Sequence, residues 1–439
     1  MKFGTDGVRG VALSELTTDV AARIGRAAAR VLGGDGVTTV VVGGDTREST
    51  DVLDRALCAG FAAEGLEVVR FGVASTPQVA FEAQRRGSLG AVVSASHNPW
   101  TDNGIKLFAC GGVKLADEVE RRIESELGRL DAFIPAHAPG SIVDSPADHG
   151  AYIGHVVDFL DGLRLDGMRV VLDAANGAAH QIGPAVLRAA GAEVIVVADS
   201  PNGRNINDGC GATAPSLVAA AVVEHGADLG IALDGDADRL IAVDHAGSVV
   251  DGDHIIAIIA NDLRARGELR HDTVVVTVMT NLGFRLAMSG AGIHVIETAV
   301  GDRYVLEALA AGGFSLGGEQ SGHVIFADHA TTGDGLVAGL QILAAMVGQG
   351  RPASELLDQF EPVPQLLKNV RFTSGDPLAS PAVKQCIADA QAELSGRGRL
   401  VIRKSGTEPL VRVMAEGDDE AQVVAVVDRI CAAVREAVG

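Results

Sequence analysis

The chain has 439 residues, of which 47% are hydrophobic and 21% charged, and its formal net charge is −21. This length suits three or four globular domains, each able to bury its own core. The acidic balance argues against nucleic acid as a partner, because phosphate backbones recruit basic surfaces. The start MKFGTDGVRG has no apolar signal core, and the longest uncharged run, residues 335–350, is too short and polar to span a membrane. The five cysteines form no CxxC pair, so we expect reduced thiols in a cytoplasmic protein.

Strand-like and helix-like segments alternate along the first three-quarters of the chain. Ala-rich stretches separate the apolar, β-rich runs, which predicts parallel or mixed sheets with βαβ crossovers. These runs lie at 38–42, 66–71 and 89–96, at 169–173, 193–198 and 227–234, and at 272–278, 293–298 and 314–318. The last segment has strands near RLVIRKS and LVRVMAEG and an amphipathic helix over 419–437, and this spacing predicts a smaller α+β domain.

Three breaks in composition predict the domain organisation. Residues 133–150 are rich in Pro, Gly, Ser and Asp, which is typical of a linker, and further breaks lie near 244–253 and 360–365. We therefore predict an α/β protein with three similar domains that contain mixed sheets, followed by a smaller C-terminal α+β domain. The predicted ranges are 1–146, 147–248, 249–363 and 364–439.

The first candidate functional loop is SASHNP, residues 94–99, which follows the apolar run LGAVV. A serine on an exposed turn, here Ser96, can be a nucleophile if a neighbour activates it. Ordinary turn chemistry is the alternative and is the more frequent explanation for such a motif alone. No G-x-S-x-G elbow is present, which disfavours a serine hydrolase.

The second loop, LDGDADR, carries Asp234, Asp236 and Asp238 at alternate positions. Alternate residues of an extended backbone face the same side, so the three carboxylates can converge. Such a cluster needs a cation, and oxygen ligands suit a hard ion such as Mg²⁺. A calcium EF-hand loop would need Gly and Glu where Arg239 and His245 stand. A solvated acidic turn remains the alternative.

Two further loops offer groups for a phosphorylated ligand. GGEQSGH, residues 317–323, brings Glu319 and Ser321 together with glycines that allow close backbone approach. RKSGTEPLVR, residues 403–412, supplies the guanidinium forks, hydroxyls and N–H groups that bind a phosphate dianion. Taken singly, either loop is also explained as a surface turn.

The loops together, in this order, are far more specific than any one of them. FGTDGVRG, SASHNP, LDGDADR, GGEQSGH and RKSGTEPLVRVMAEG resemble the α-D-phosphohexomutase superfamily over essentially the whole chain. That superfamily has three domains of similar α/β topology and a smaller fourth around a central cleft. Within it, the five segments are most similar to the enzymes that act on glucosamine phosphates.

The resemblance implies a role for each matching residue. Ser96 is implied to be the phosphorylated nucleophile and, with the three aspartates, a ligand of one Mg²⁺ per chain. Lys106 is implied to do general acid/base work. The other implied catalytic residues are Arg9, His97, Arg239 and His323, and the implied substrate-binding residues are Glu319, Ser321, Arg403, Ser405, Gly406, Thr407 and Arg412.

The implied reaction interconverts glucosamine 6-phosphate and glucosamine 1-phosphate through a phosphoserine enzyme and a 1,6-bisphosphate, and feeds the synthesis of UDP-N-acetylglucosamine, a cell-wall precursor. Glucosamine or glucose 1,6-bisphosphate would serve as activator, or a kinase would phosphorylate Ser96 first. The sequence is compatible with a monomer and with a homodimer. The alternatives are a phosphomannomutase or phosphoglucomutase, and a non-catalytic sugar-phosphate sensor. A sensor has no use for a nucleophile beside a metal site, which disfavours it.

One segment departs from the superfamily's pattern. In NINDGCGATAP, residues 205–215, Ala212 and Ala214 stand where a hydroxyl and an imidazole are expected. The resemblance therefore assigns no role to these two positions.

Overall fold

The computed structural model describes residues 2–4, 6–34, 36–130, 139–146, 148–356, 359–373, 375–404 and 410–438. In this part of the chain, four β-sheets follow one another in sequence order. The first three contain both parallel and antiparallel strands and are flanked by helices, and the fourth is small and antiparallel. This architecture confirms the predicted fold class.

The first sheet is built around buried parallel strands. Its central strands are uniformly apolar, and LGAVV is buried on both faces, as parallel strands covered by helices require. The strands are β1 (Val8–Val11), β2 (Thr39–Gly44), β3 (Glu67–Val73), β4 (Leu89–Val93), β5 (Asp102–Ala109), β6 (Val113–Lys114) and β7 (Ile142–Asp144). The helices are α1 (Thr18–Leu32), α2 (Thr50–Ala63), α3 (Thr76–Arg86) and α4 (Asp117–Arg129). The order is β1-β5-β4-β2-β3-β7, with β6 beside β5.

The segment predicted as the first linker contributes a strand instead. Residues 142–144 form β7, which pairs in parallel with β3 at the edge of the sheet. The side chains of β7 are exposed, so this strand has no buried face to distinguish it from a loop in the sequence. Residues 133–138 of the predicted linker lie outside the described residues.

The second sheet repeats the plan with fewer strands. Its strands are β8 (Arg169–Asp173), β9 (Glu193–Val197), β10 (Leu229–Leu233), β11 (Leu240–Asp244) and β12 (Val249–Val250). Its helices are α5 (His149–Asp158), α6 (Ile182–Ala190) and α7 (Ser216–His225). The order is β12-β11-β10-β8-β9. Because β12 pairs with β11, this sheet extends two residues past the predicted boundary at 248.

The third sheet has the order β14-β13-β15-β16, and the fourth has the order β17-β19-β18. The third contains β13 (Thr273–Thr277), β14 (His294–Thr298), β15 (Leu316–Gly318) and β16 (Val324–Phe326), with helices α8 (Gly252–Arg266), α9 (Leu282–Gly290), α10 (Asp302–Gly312), α11 (Gly335–Gln349) and α12 (Ala353–Leu356). The fourth contains β17 (Gln365–Arg371), β18 (Gly398–Lys404) and β19 (Leu410–Gly417), with α13 (Pro381–Leu394) and α14 (Glu420–Val438).

A single hydrophobic core spans the second and third sheets. The long uncharged run noted in the sequence is α11, and most of its side chains are buried between these two sheets. Burial on all sides explains why this helix lacks a polar face. Among the described residues, no helix combines the length and the apolar character needed to cross a membrane.

Each sheet presents one antiparallel hairpin whose connection is a candidate functional loop. The β4–β5 hairpin carries residues 94–101, and the β10–β11 hairpin carries 234–239. The β15–β16 hairpin carries 319–323, and β18–β19 flank 405–409. In the first three sheets, the hairpin begins on a strand that is parallel to its inner neighbour. The loops therefore leave the carboxyl ends of parallel strands, where α/β sheets bind ligands.

Candidate active site

Loops from the four sheets meet around a central cleft. A cavity of about 490 Å³ lies there, a size typical of small-molecule sites. The sequence-predicted residues that line it are Asp238, Arg239, Glu319, Ser321, His323, Arg403 and Arg412. The cavity thus brings together expected site residues from the second, third and fourth domains. Among the described residues, the expected ones that do not line it are Arg9, Ser96, His97, Lys106, Asp234 and Asp236.

Ser96 adopts a left-handed backbone conformation, with φ of 54°, and adjoins the cavity through His97, which faces the cavity-lining Arg239. Its Oγ donates to Asp234 Oδ2 at 2.5 Å and lies 3.2 Å from His97 Nδ1. The sequence predicts an exposed turn, but Ser96 is fully buried, with Asp234 and Gly235 of the second-domain loop packed against it. A left-handed residue other than glycine costs about 1–2 kcal/mol, so the surrounding contacts must hold this serine in place.

The three aspartates form a buried cluster that can hold a metal ion. One carboxylate oxygen from each of Asp234, Asp236 and Asp238 lies within 4.8 Å of the others. The loop is not extended as the sequence argument assumes, because Ala237 has φ of 60° and the chain turns there. The Oδ1 atoms of Asp236 and Asp238 are buried without a hydrogen-bond partner in the described structure. Unpaired carboxylate oxygens of this kind fit a hard cation such as Mg²⁺.

Contacts from the first domain fix the position of this cluster. Thr76, the first residue of α3, donates its N–H to Asp236 O at 3.0 Å and its Oγ1 to Asp236 Oδ2 at 2.6 Å. Burial, together with the charges of Asp238 and Asp236, raises the pKa of Asp234 well above its usual value. Burial tends to raise the pKa of Asp238, but the charges of Lys106, His323 and Arg239 together outweigh it and lower that pKa to about 2.

Lys106 is buried among carboxylates from two domains. Its Nζ lies 2.8 Å from Asp236 Oδ2, 2.7 Å from Asp238 Oδ2 and 2.7 Å from Asp6 Oδ2. Burial alone would lower the pKa of Lys106, but these three carboxylates raise it well above the usual value. Lys106 is therefore held as an ammonium ion in this arrangement.

Asp6 is a site residue that the sequence argument missed. It contacts Lys106, Arg9 at 3.1 Å and Lys114 at 2.7 Å. Lys114 in turn pairs with Asp302, so the first and third domains are joined across the cleft. The motif FGTDGVRG, from which only Arg9 was selected, was the available signal for Asp6.

Arg239 and His97 face each other beside Ser96. Arg239 NH1 lies 3.4 Å from His97 Nδ1, and Arg239 Nε lies 3.7 Å from Asp238 Oδ1. Burial, followed by the charges of Arg239 and Arg9, lowers the pKa of His97 to about 4. His97 is therefore neutral at physiological pH, and a neutral imidazole can accept a proton or a hydrogen bond.

The third-domain loop presents polar groups to the cavity. Glu319 Oε1 accepts from the N–H of Gly301 at 3.1 Å, and Ser321 is exposed to the cleft. His323 is buried, and neither ring nitrogen has a hydrogen-bond partner in the described structure. Its Nε2 lies 3.5 Å from Asp302 Oδ2, which is at the start of α10.

The fourth domain supplies two adjacent arginines. Arg403 on β18 and Arg412 on β19 are direct cross-strand partners, and both line the cavity. Burial and the charge of Arg412 lower the pKa of Arg403. Like charges at opposed strand positions are destabilising unless an anion lies between them. Ser405, Gly406 and Thr407 of the same predicted loop lie outside the described residues.

Comparison with known proteins agrees with this arrangement along the whole chain. Four family models match, three described as Phosphoglucomutase/phosphomannomutase, alpha/beta/alpha domains I, II and III, at residues 1–132, 150–247 and 251–363. The fourth, the C-terminal domain of the same group, matches residues 367–433. The phosphoglucosamine mutase of Novosphingobium aromaticivorans is 54% identical over 439 residues, with 99% of each chain covered. That of Sphingopyxis alaskensis is 53% identical over 440 residues, again with 99% of each covered.

The chain belongs to the phosphoglucosamine mutase family. It is therefore an isomerase-class phosphohexomutase, as the resemblance implied. Solved structures share the fold: a phosphoglucomutase/phosphomannomutase family protein from Burkholderia thailandensis has a TM-score of 0.83 at 24% identity, with 99% of this chain and 97% of that chain covered. Aspergillus fumigatus N-acetylphosphoglucosamine mutase, in complex with GlcNAc-6P and magnesium, has a TM-score of 0.70 at 18% identity, with 100% and 96% covered.

Proposed function

We propose that the protein interconverts glucosamine 6-phosphate and glucosamine 1-phosphate, with Ser96 as the phosphoryl carrier and a 1,6-bisphosphate as the intermediate. The observation that carries this proposal is the pairing of Ser96 Oγ with Asp234 in a buried aspartate cluster, since Asp238 of that cluster lines the same cavity as two adjacent arginines. A nucleophile, a cation site and an anion site in one cleft are the parts that phosphoryl transfer needs.

In the first half-reaction, the free hydroxyl of the sugar phosphate attacks phospho-Ser96. A new P–O bond forms to the sugar and the P–Oγ bond breaks. The attacking hydroxyl loses its proton to a base, for which His323 is our candidate because it lines the cavity and neither of its ring nitrogens has a hydrogen-bond partner in the described structure. Ser96 Oγ takes up one proton in exchange. Lys106 is held as an ammonium and is our candidate for the donor of that proton. The neutral His97, 3.2 Å from Ser96 Oγ, orients this oxygen together with Asp234.

One Mg²⁺ per chain is proposed to be held by Asp234, Asp236, Asp238 and the Ser96 phosphate, where it would neutralise negative charge on the transferring group. Arg9 and Arg239 complement the remaining phosphate charge on the cleft side of Ser96. The first is partly exposed and the second lines the cavity, so both guanidinium groups can reach a ligand there.

The sugar and its second phosphate are proposed to bind on the opposite side of the cavity. Glu319 and Ser321 bind sugar hydroxyls, and His323 lies between them and the aspartate cluster. Arg403 and Arg412 bind the phosphate that is not transferred, aided by Ser405, Gly406 and Thr407. After the bisphosphate turns over in the cleft, the same anion site holds the other phosphate, and Ser96 recovers a phosphoryl group.

The further details are also part of the proposal. Glucosamine or glucose 1,6-bisphosphate activates the enzyme by phosphorylating Ser96. A kinase is the alternative source of that first phosphoryl group, and a homodimer is the alternative to a monomer. We also predict that the reaction takes place in the cytoplasm and provides glucosamine 1-phosphate for the synthesis of UDP-N-acetylglucosamine. The predicted domains are 1–146, 147–248, 249–363 and 364–439.

A coupled mutase assay tests the proposal. Glucosamine 6-phosphate, glucose 6-phosphate and mannose 6-phosphate are compared in parallel, each with Mg²⁺ and a catalytic amount of glucose 1,6-bisphosphate. We expect the highest kcat/KM with glucosamine 6-phosphate. A higher kcat/KM with either other sugar would reassign the substrate, and no turnover with any of them would remove the proposed activity.

A further inference from the structure

Two side chains outside the proposed chemistry hold the backbone of the Ser96 loop. Arg47 NH2 donates to Ser96 O at 3.1 Å and to Asn98 O at 2.6 Å. Asn207 Nδ2 donates to the same two oxygens, at 3.0 Å and 3.2 Å. Because each donor bridges the same pair of carbonyls, the directions of both peptide groups are fixed together.

The conformation held in this way is one that a serine seldom adopts. Ser96 is left-handed, and its N–H is also held, by Ser94 Oγ at 2.9 Å. Its side chain aims at Asp234 only while the peptide groups on either side keep this orientation. A residue in a disfavoured backbone region persists only where its surroundings over-determine it, and such residues cluster at functional sites.

Arg47 reaches the loop from within the first domain and is fully buried there. It forms an ion pair with Asp45, which also accepts from Ser94 Oγ at 2.6 Å and from Thr50 Oγ1 at 2.8 Å. A buried charge needs this degree of pairing to be tolerated. The guanidinium is therefore a rigid part of the first domain, with one nitrogen committed to the Ser96 loop.

Asn207 reaches the loop from the second domain. It lies in NINDGCGATAP, the segment in which Ala212 and Ala214 depart from the expected pattern. Its backbone has φ of 57°, and its N–H donates to Ala175 O at 3.0 Å, so the side chain is presented by a fixed turn. Gly235, on the aspartate loop, packs so closely that a Cβ there would lie 2.6 Å from Ser96 O. The Ser96 carbonyl is thus enclosed by both domains.

We propose that Asn207 and Arg47 are positioning residues for phosphoryl transfer: they keep Ser96 left-handed, with its Oγ aimed at Asp234. Asn207 makes that aim depend on the contact between the first and second domains. The inference rests on the proposed function, since it requires Ser96 to be the phosphoryl carrier. It also assigns a role to the segment 205–215: Asn207 holds the Ser96 loop, whereas Ala212 and Ala214 of the same segment have no assigned function.

The decisive variant is Asn207→Gly, because glycine adopts a φ of 57° without strain while the side chain that carries the amide is removed. We expect kcat for glucosamine 6-phosphate to fall at least about tenfold while KM stays within about twofold, since misplacing a reacting group slows the chemical step more than binding. Phosphorylation of Ser96 by glucose 1,6-bisphosphate, followed by intact mass, should slow by the same factor. Asn207→Asp keeps the shape but turns a carboxylate toward two carbonyl oxygens, so it should be at least as slow.

The matched control is Asp208→Ala. Asp208 is the next residue on the same turn, is exposed, and makes no side-chain hydrogen bond within the described structure. Its kcat, KM and melting temperature should equal those of the parent protein.

Two outcomes overturn the positioning role: a parent-like kcat in Asn207→Gly, or a loss of kcat that comes with an equal rise in KM and a lower melting temperature. An active Ser96→Ala would instead overturn the proposed function. If Ser96→Ala is inactive and Asn207→Gly is fully active, the carrier role stands and only the positioning role is rejected.

Discussion

Arg412 offers a sharp test of the anion site, because its only evident use is to bind a ligand. It stands opposite Arg403 across the β18–β19 pair, both side chains line the cavity, and the Nε atoms of both are buried without a partner in the described part of the chain. Two neighbouring guanidinium groups repel each other unless an anion lies between them. Arg412→Ala should therefore weaken substrate binding without lowering the melting temperature.

The expected magnitude follows from the bonds that are lost. A hydrogen bond to a charged group contributes about 1.5–3 kcal/mol, and each 1.4 kcal/mol corresponds to a factor of ten. Losing one guanidinium contact to phosphate should thus raise KM for glucosamine 6-phosphate by at least about tenfold. Since the same site holds either phosphate of the reoriented intermediate, KM for glucosamine 1-phosphate should rise by a similar factor in the reverse assay.

The control is Arg397→Ala, which removes an exposed arginine from the turn before β18 in the same domain. Both KM values of this control should match those of the parent, which excludes a general effect of net charge. A loss in only one direction in Arg412→Ala would mean that the site recognises one end of the sugar. Unchanged KM values in both directions would refute the anion site.

Three further predictions concern the nucleophile, the metal and a buried acid. Ser96→Ala should fold normally, lose nearly all turnover and lack the added phosphate mass that we expect on part of the purified parent protein; full activity would contradict the mechanism. EDTA should abolish turnover and Mg²⁺ should restore it, and Asp236→Asn should need more Mg²⁺ for half-maximal rate; restoration by Zn²⁺ alone would contradict the oxygen-ligand argument. Burial raises the pKa of Asp253 to about 7, so the folded protein keeps a proton that the unfolded chain releases at about pH 4. This acid therefore lowers the free energy of unfolding progressively from about pH 4 to 7, and Asp253→Asn should be more stable at pH 8, by up to about 4 kcal/mol. Curves of melting temperature against pH that run parallel for parent and variant would contradict this.

The sequence predicted the parallel strands well because their side chains are apolar on both faces. The predicted runs at 169–173 and 293–298 coincide with β8 and β14 to within a residue. The positions of the first three candidate loops were also predicted correctly, because each directly follows the carboxyl end of such a strand. The second strand of the hairpin was predicted in the fourth sheet, as β19, but missed in the first three sheets. In the first sheet, β5 carries Asp102, Asn103 and Lys106, whose polar side chains interrupt the apolar pattern. These polar residues make tertiary contacts at the active site, and such contacts outweigh the usual preference of a strand for alternating or apolar side chains.

The sequence could place residues on loops but could not pair them across domains. Lys106 of the first domain meets Asp238 of the second over a separation of 132 residues, and no spacing rule connects them. The burial of Ser96 and the turn at Ala237 depend on how the first two domains pack, which is decided by the whole interface. Ser405, Gly406 and Thr407 stay predictions from the motif.

The contact between Thr76 and Asp236 has a consequence for protein engineering. Family models divide the chain into four segments, but Thr76 lies in the first and Asp236 in the second. A chimera joined near residue 147 would inherit its aspartates from one parent and the threonine that orients them from the other. We therefore expect functional chimeras to exchange the first two segments as a pair, and single-segment exchanges to succeed only where both parents carry a hydroxyl residue at position 76.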